Sequence, residues 1–77
     1  MNATYKQDPD RWSWDWFFKR RAGKDLKALS DDQLYDEWFT VLMGAVSPSL
    51  KYEDQRRQLQ QYKSRLSMEF RERGIDI

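Results

Sequence analysis

Five aromatic residues fall within seven positions near the N-terminus of this chain, namely Trp12, Trp14, Trp16, Phe17 and Phe18. Successive residues of an α-helix are about 100° apart, so one face of a helix cannot hold all five. Trp12 and Trp16 point to one side, and the other three point roughly to the opposite side. The group of three spans about 100° of arc, and we expect it to line a core. We assign the two remaining tryptophans to an outer ridge that needs a second surface to cover it; the alternative is that both close the small core.

The length of the chain limits how it can be stabilised. It has 77 residues, and a domain of this size buries only about 60% of the surface that its unfolded chain exposes. It contains neither Cys nor His, which excludes disulfides and thiolate metal sites and removes the commonest general base. Dense aromatic packing or burial against a partner must therefore supply the stability. Because the chain begins with Met and shows no tag, we expect a complete small gene product.

Charge and hydropathy give little indication of a membrane or a nucleic acid. The formal net charge is +1, too small to announce either partner. No stretch approaches the roughly 18 apolar residues of a membrane span, and residues 1–6 lack an apolar signal region. The absence of Cys is compatible with the cytosol. We therefore expect a cytoplasmic protein with no membrane span.

The first helix is predicted over residues 9–22. Asp8 is a good N-cap, and Pro9 fits the first helical position, where its missing N–H costs nothing. Gly23 is predicted to end the helix in the left-handed conformation. Residues 1–8 are predicted to form a flexible arm before a single helical domain over residues 9–77.

The second helix is predicted over residues 31–46. Ser30 and Gln33 have the spacing of a capping box, and Ser47-Pro48 interrupts the helix at its end. Apolar residues cover a wide arc, so we expect this helix to be the central one. The apolar stripe is Leu34, Trp38, Val41, Leu42 and Ala45, with a second row of Tyr35, Phe39 and Met43 beside it.

The third helix is predicted over residues 50–73, and Gly74 with Ile75 fits a Schellman motif at its end. Its apolar stripe has the 3.6-residue period and consists of Tyr52, Leu59, Tyr62, Leu66 and Phe70. No strand pattern is present. The predicted fold class is all-α: helices two and three form an antiparallel hairpin, and the Trp-rich helix one packs across it.

Charged residues offer three further candidate surfaces. Asp15, Lys19 and Arg20 flank the Trp12/Trp16 pair as a charged rim. Basic and polar residues of helix three share one face, which could meet phosphates and base edges or simply be solvated; they are Arg56, Gln60, Lys63, Ser67 and Arg71. Four acids open helix two, and we expect them to pair with basic residues inside the bundle, with an acidic docking patch as the sharper alternative; they are Asp31, Asp32, Asp36 and Glu37.

The expected function is that of a non-catalytic protein-binding module, a small inhibitor, adaptor or regulator that sterically blocks or bridges a larger protein. Phage and other mobile elements encode many such proteins. Without His, the serines lack a base to activate them, the glycines are isolated, and no cofactor, metal or enzyme activity is expected. The predicted contact residues are Trp12, Trp16, Lys19, Arg20, Arg56, Lys63 and Arg71. The alternatives are a nucleic-acid-binding regulator that uses helix three, and a structural homo-oligomer that buries Trp12 and Trp16.

Overall fold

The computed structural model describes residues 8–77, and three α-helices account for most of them. We label them α1 (Pro9–Arg21), α2 (Asp31–Ala45) and α3 (Glu53–Glu72), with a short 3-10 turn at Leu26–Ala28 between α1 and α2. Residues 8–77 contain no strand, which confirms the all-α prediction. The predicted flexible arm lies outside the described residues except for Asp8, which belongs to the start of α1.

Two of the three helices begin where their capping residues predict. The Asp8 carboxylate accepts a hydrogen bond from the Asp10 amide at 2.9 Å, so α1 starts at Pro9. The Ser30 hydroxyl accepts from the Gln33 amide at 3.1 Å. The Gln33 side chain accepts from the Ser30 amide at 2.9 Å, which completes the capping box.

The third helix begins at Glu53, a few residues later than predicted, and has no side-chain cap. The preceding segment is held in a turn, since the Leu50 amide donates to the Ser47 carbonyl at 3.2 Å. Leu50 is buried there as part of the core. Leu50 therefore contributes to the core from the loop before α3, and not from the first turn of the helix.

The two predicted helix ends differ in outcome. At the end of α3, Gly74 has φ 75°, and the Ile75 amide donates to the Phe70 carbonyl at 2.9 Å, as a Schellman motif requires. The prediction for Gly23 is wrong, because Gly74 alone of the three glycines, all within residues 8–77, has a positive φ. After α1 the Lys24 amide bonds to the Arg21 carbonyl at 3.2 Å, so a short-range turn ends the helix without a left-handed residue.

Helix α3, rather than α2, is the central element. It packs along α2 in an antiparallel hairpin and also contacts α1 and the 3-10 turn. Helix α2 is not central because its second apolar row, Tyr35, Phe39 and Met43, faces outward. The buried core comprises Phe18, Leu26, Leu34, Val41, Leu50, Leu59, Tyr62, Leu66 and Phe70.

Candidate protein-binding surface

Helix α1 divides its aromatic residues into two groups, as the spacing predicts. Phe18 is buried, and Trp14 and Phe17 pack half-buried against the core. Trp12 is 71% exposed and Trp16 is 56% exposed. Both lie about 160° around the helix from Trp14. The two tryptophans therefore form an outer ridge on the face of α1 that points away from the hairpin.

The inner aromatics fix the rotation of α1 about its own axis. The Trp14 indole N–H donates to the Ser49 hydroxyl at 2.9 Å. The rings of Trp14 and Phe17 meet edge to face with their centroids 4.9 Å apart, and those of Phe17 and Phe18 do so at 5.3 Å. Such edge-to-face pairs add to the stabilisation that burial alone gives. Because these contacts set the inner face, Trp12 and Trp16 are held outward.

A carboxylate in α2 joins all three helices. The Arg21 Nε of α1 lies 2.9 Å from Glu37 Oε1, and the Tyr62 hydroxyl of α3 donates to the same oxygen at 2.7 Å. Lys24 Nζ lies 3.6 Å from the other carboxylate oxygen. The side chains of Arg21 and Glu37 are only 15% and 13% exposed. We call Glu37, Arg21, Tyr62 and Lys24 the Glu37 cluster.

Electrostatics within the Glu37 cluster favour the charged carboxylate. Burial by itself raises the pKa of Glu37, but the hydrogen bonds from Tyr62 and Arg21 outweigh it, and the net pKa is lowered. Burial, followed by the hydrogen bond to Glu37, raises the pKa of the Tyr62 phenol. The tyrosine therefore stays a neutral donor and the glutamate an ionised acceptor at neutral pH.

A buried amide joins α1 to α3. Gln55 is fully buried, and its Nε2 donates to the Arg11 carbonyl at 3.0 Å and to Asp15 Oδ1 at 2.8 Å. Nearby, Arg11 Nη1 pairs with Asp54 at 2.6 Å. The sequence predicts Asp15 in the rim of the ridge, and no pattern assigns a role to Gln55. Its burial could have been predicted, because Gln55 lies within the arc of the α3 apolar stripe.

The ridge is bordered by cations. The Arg20 guanidinium lies over the Trp16 ring, with its carbon 4.7 Å from the ring centroid. Lys19 is exposed on the side nearer Trp12. A stacked guanidinium limits the motion of the indole and presents positive charge beside an apolar surface. The outer face of α1 is thus an apolar centre with a basic edge.

The basic residues predicted on α3 lie on a different part of the molecule. Arg56 and Arg71 are exposed, and no residue in the described range forms an ion pair with either. Lys63 is half-buried, with its Nζ 5.8 Å from the centroid of the Trp38 ring. The seven predicted contact residues therefore fall into two groups that the structure does not bring together: four on α1 and three on α3.

The predicted acidic segment is used partly inside the bundle. Asp31 pairs with Arg73 at 2.8 Å, and Glu37 belongs to the Glu37 cluster. Asp32 and Asp36 are exposed and form no ion pair within residues 8–77. Internal pairing therefore accounts for half of the segment, and two acids stay at the surface.

One surface was not predicted from the sequence, an exposed apolar row along α2 that continues to its C-cap residue Val46. Phe39 is 64% exposed and Val46 is 75% exposed, while Tyr35, Leu42 and Met43 are also well exposed. The wide apolar arc of α2 predicted burial of these residues. The signal that marks them as a separate row is their spacing, since Tyr35, Phe39, Leu42 and Val46 follow one another at intervals of four, three and four residues.

The described residues form no cluster of acidic side chains that could hold a metal ion. Among the described helices, none combines the length and apolar character that a membrane crossing requires. Comparison of the chain with protein-family models, with curated proteins and with solved structures finds no match.

Proposed function

We propose that this chain is a non-catalytic protein-binding module whose contact surface is the Trp12/Trp16 ridge with Lys19 and Arg20. The observation that carries the proposal is the exposure of two large indoles on a helix whose orientation is already fixed by other aromatics. Most of the apolar area of these two indoles stays in water in the monomer. Tryptophan is enriched among residues that dominate binding energy, because it buries a large, rigid area at low entropic cost.

The mechanism that fits this surface is steric. The Glu37 cluster and the Trp14–Ser49 hydrogen bond hold α1 on the hairpin, so the ridge is presented on a formed helix rather than on a loop that must be ordered on binding. The complementary partner is a larger protein with an apolar groove wide enough for two indoles. Acidic residues at the margin of that groove would meet Lys19 and Arg20, and would mainly raise the association rate.

A module of this kind would act as an inhibitor, an adaptor or a regulator, because it occupies a site without performing chemistry. We expect it in the cytoplasm, and a phage or another mobile element is the kind of genome that we expect to encode it. The alternative function is nucleic-acid binding through α3. The exposed Arg56 and Arg71, which form no ion pair in the described part of the chain, favour it.

Affinity capture from extracts of the source cells tests the proposal. The baits are the parent chain, the double variant Trp12→Ala/Trp16→Ala and, as a matched control, Met68→Ala, which shortens an exposed apolar side chain of α3. A protein retained by the parent and the control but lost with the double variant is the expected partner. Its Kd for Trp16→Ala should rise more than about tenfold, since a hot-spot truncation typically costs at least about 2 kcal/mol.

The result that would overturn the proposal is equally specific. If every captured protein binds the parent and the double variant with equal affinity, while circular dichroism shows both to be folded, the ridge is not the contact surface. If binding of the captured protein is instead lost when Arg56 and Arg71 are replaced, the contact surface lies on α3.

A further inference from the structure

The exposed apolar row of α2 has the spacing of a coiled-coil seam. Tyr35, Phe39 and Leu42 of α2, followed by its C-cap residue Val46, have the four-three-four spacing. In a helix, this spacing places one residue of each turn on a single line of contact with a second helix. All four are exposed. We call these four residues the α2 seam.

The α2 seam faces away from α1. Gly44 marks the side of α2 that meets α1, because the Trp14 ring closes over it. At about 100° per residue, the three seam residues within α2, Tyr35, Phe39 and Leu42, lie about 140–180° around the helix from Gly44. The seam is therefore separate from the Trp12/Trp16 ridge, and the two surfaces lie on opposite faces of the molecule.

One edge of the seam is basic, and α3 supplies it. The Tyr35 ring lies 5.0 Å from that of Phe70, and Lys63 reaches the Trp38 ring, so α3 borders the seam along this edge. By helical position, the exposed cations on that flank of α3 are Arg56 and Arg71. Glu53 lies on the same flank at the start of α3, where it pairs with Arg57 at 3.5 Å.

The other edge of the seam is acidic and belongs to α2 itself. Asp32 and Asp36 lie next to Phe39 on the side away from α3. They occupy the N-terminal half of α2. The Asp31–Arg73 ion pair at 2.8 Å places the end of α3 at that same level, so Arg71 lies beside the seam opposite these two acids.

We propose that a second copy of this chain covers the α2 seam, with the two α2 helices parallel about a two-fold axis that runs along them. Such an axis exchanges the two edges, so that Asp32 and Asp36 of each copy meet Arg71 of the other. A two-fold axis perpendicular to the helices would instead set Asp32 and Asp36 of one copy against the C-terminal half of the other copy's α2, away from its Arg71. Packing of ridges into grooves at about 20° suits the seam spacing, and the contact is closed and self-complementary.

The mass of the full chain in solution tests the contact. Sedimentation equilibrium over a range of concentrations should give a dimer for the parent and a monomer for Phe39→Asp, with the same helical circular dichroism for both. Trp16→Ala and Met68→Asp are the matched controls and should remain dimers. Trp16→Ala leaves the seam contact intact. The proposal of a dimer and the proposal of a partner-binding ridge can therefore fail independently.

A charge exchange tests the parallel arrangement. Asp36→Arg and Arg71→Glu should each raise the dimer dissociation constant at least tenfold, because each creates two repulsive contacts per dimer. Mixed together, the two variants should form a heterodimer, since each repulsive pair becomes an attractive one. High salt should weaken both the effect and the rescue.

Three outcomes would overturn the proposal. If the parent chain stays monomeric at every concentration, no second copy covers the α2 seam. Dimers that survive Phe39→Asp but dissociate with Trp16→Ala would place the contact on α1. Loss of dimers in both charge variants without heterodimer formation would exclude the parallel two-fold arrangement.

Discussion

The Trp14 indole occupies the space that a side chain at position 44 would need. A Cβ added to Gly44 would lie 2.9 Å from Trp14 Cη2 and 3.5 Å from a methyl group of Leu59. Helices α1, α2 and α3 meet at this point, so Gly44 is required for close approach and not for a turn. Its place inside α2, before the final Ala45, agrees with that role.

Gly44→Ala should therefore lower the free energy of unfolding by about 1–2 kcal/mol, because overpacking a filled site outweighs the gain in helix propensity. Gly23→Ala is the matched control. No atom lies within 4 Å of its added Cβ, and its backbone does not need a glycine, so stability should be unchanged or rise by up to about 1 kcal/mol. Urea melts of both variants decide the matter, and equal midpoints would show that the Trp14 ring moves aside freely.

Trp14→Ala should destabilise the fold, whereas Trp16→Ala should leave its stability nearly unchanged. Trp14 packs against the core and donates to Ser49, so its truncation should cost about 3–5 kcal/mol. Trp16 is more than half exposed, and Trp16→Ala should change stability by no more than about 0.5 kcal/mol. Thermal melts followed by circular dichroism measure both. A collapse of Trp16→Ala equal to that of Trp14→Ala would make the ridge part of the core.

Acid should weaken the junction at Glu37. The pKa of this carboxyl is lowered in the folded chain, so its contribution to stability is present above the ordinary glutamate pKa of about 4.3 and is lost as the pH falls through the folded value. Glu37→Gln should be less stable than the parent at pH 7, on the order of 2 kcal/mol, because Arg21 keeps a buried charge without its counterion.

Urea melts at pH 7 and pH 3 test this dependence. The gap between the parent and Glu37→Gln should narrow at the lower pH. Glu72→Gln removes a carboxylate that pairs with Lys27 at the surface, and it should lie close to the parent at both values. An unchanged gap at pH 3 would show that the charge on Glu37 does not stabilise the junction.

Binding to duplex DNA should be weak and unselective at physiological salt. The net charge is +1, and few cations are clustered enough to release many counterions. Fluorescence anisotropy at about 50 and about 200 mM salt should show a shallow slope. A tight, sequence-dependent complex that is lost in Arg56→Ala/Arg71→Ala would instead establish α3 as a nucleic-acid surface.

Local signals determine much of the fold and are legible in the sequence. The capping box at Ser30, the Schellman end at Gly74 and the 3.6-residue stripe of α3 each depend on residues within a turn or two of one another, so spacing alone predicts them. The division of the α1 aromatics follows from the same arithmetic.

Contacts between distant residues were not predictable in this way. The buried Gln55 and the Glu37 cluster depend on how α1 lies against α3, which no spacing within one helix reveals. The prediction that the whole apolar arc of α2 is buried is wrong, because the arc holds more apolar surface than one neighbouring helix can cover. A buried row and an exposed row lie side by side on α2, and the sequence alone does not distinguish them. The position of α3 decides which of the two is covered.

The modest anchorage of α1 has a consequence for its dynamics. Phe18 is the α1 residue that is buried outright, whereas α3 contributes four residues to the buried apolar core. Amide hydrogens of α1 should therefore exchange with solvent through local opening at a lower free energy than those of α3. The Trp12/Trp16 ridge lies on this more easily opened helix. A partner that binds the ridge only while α1 is docked should slow exchange in α1 before it changes exchange in the hairpin.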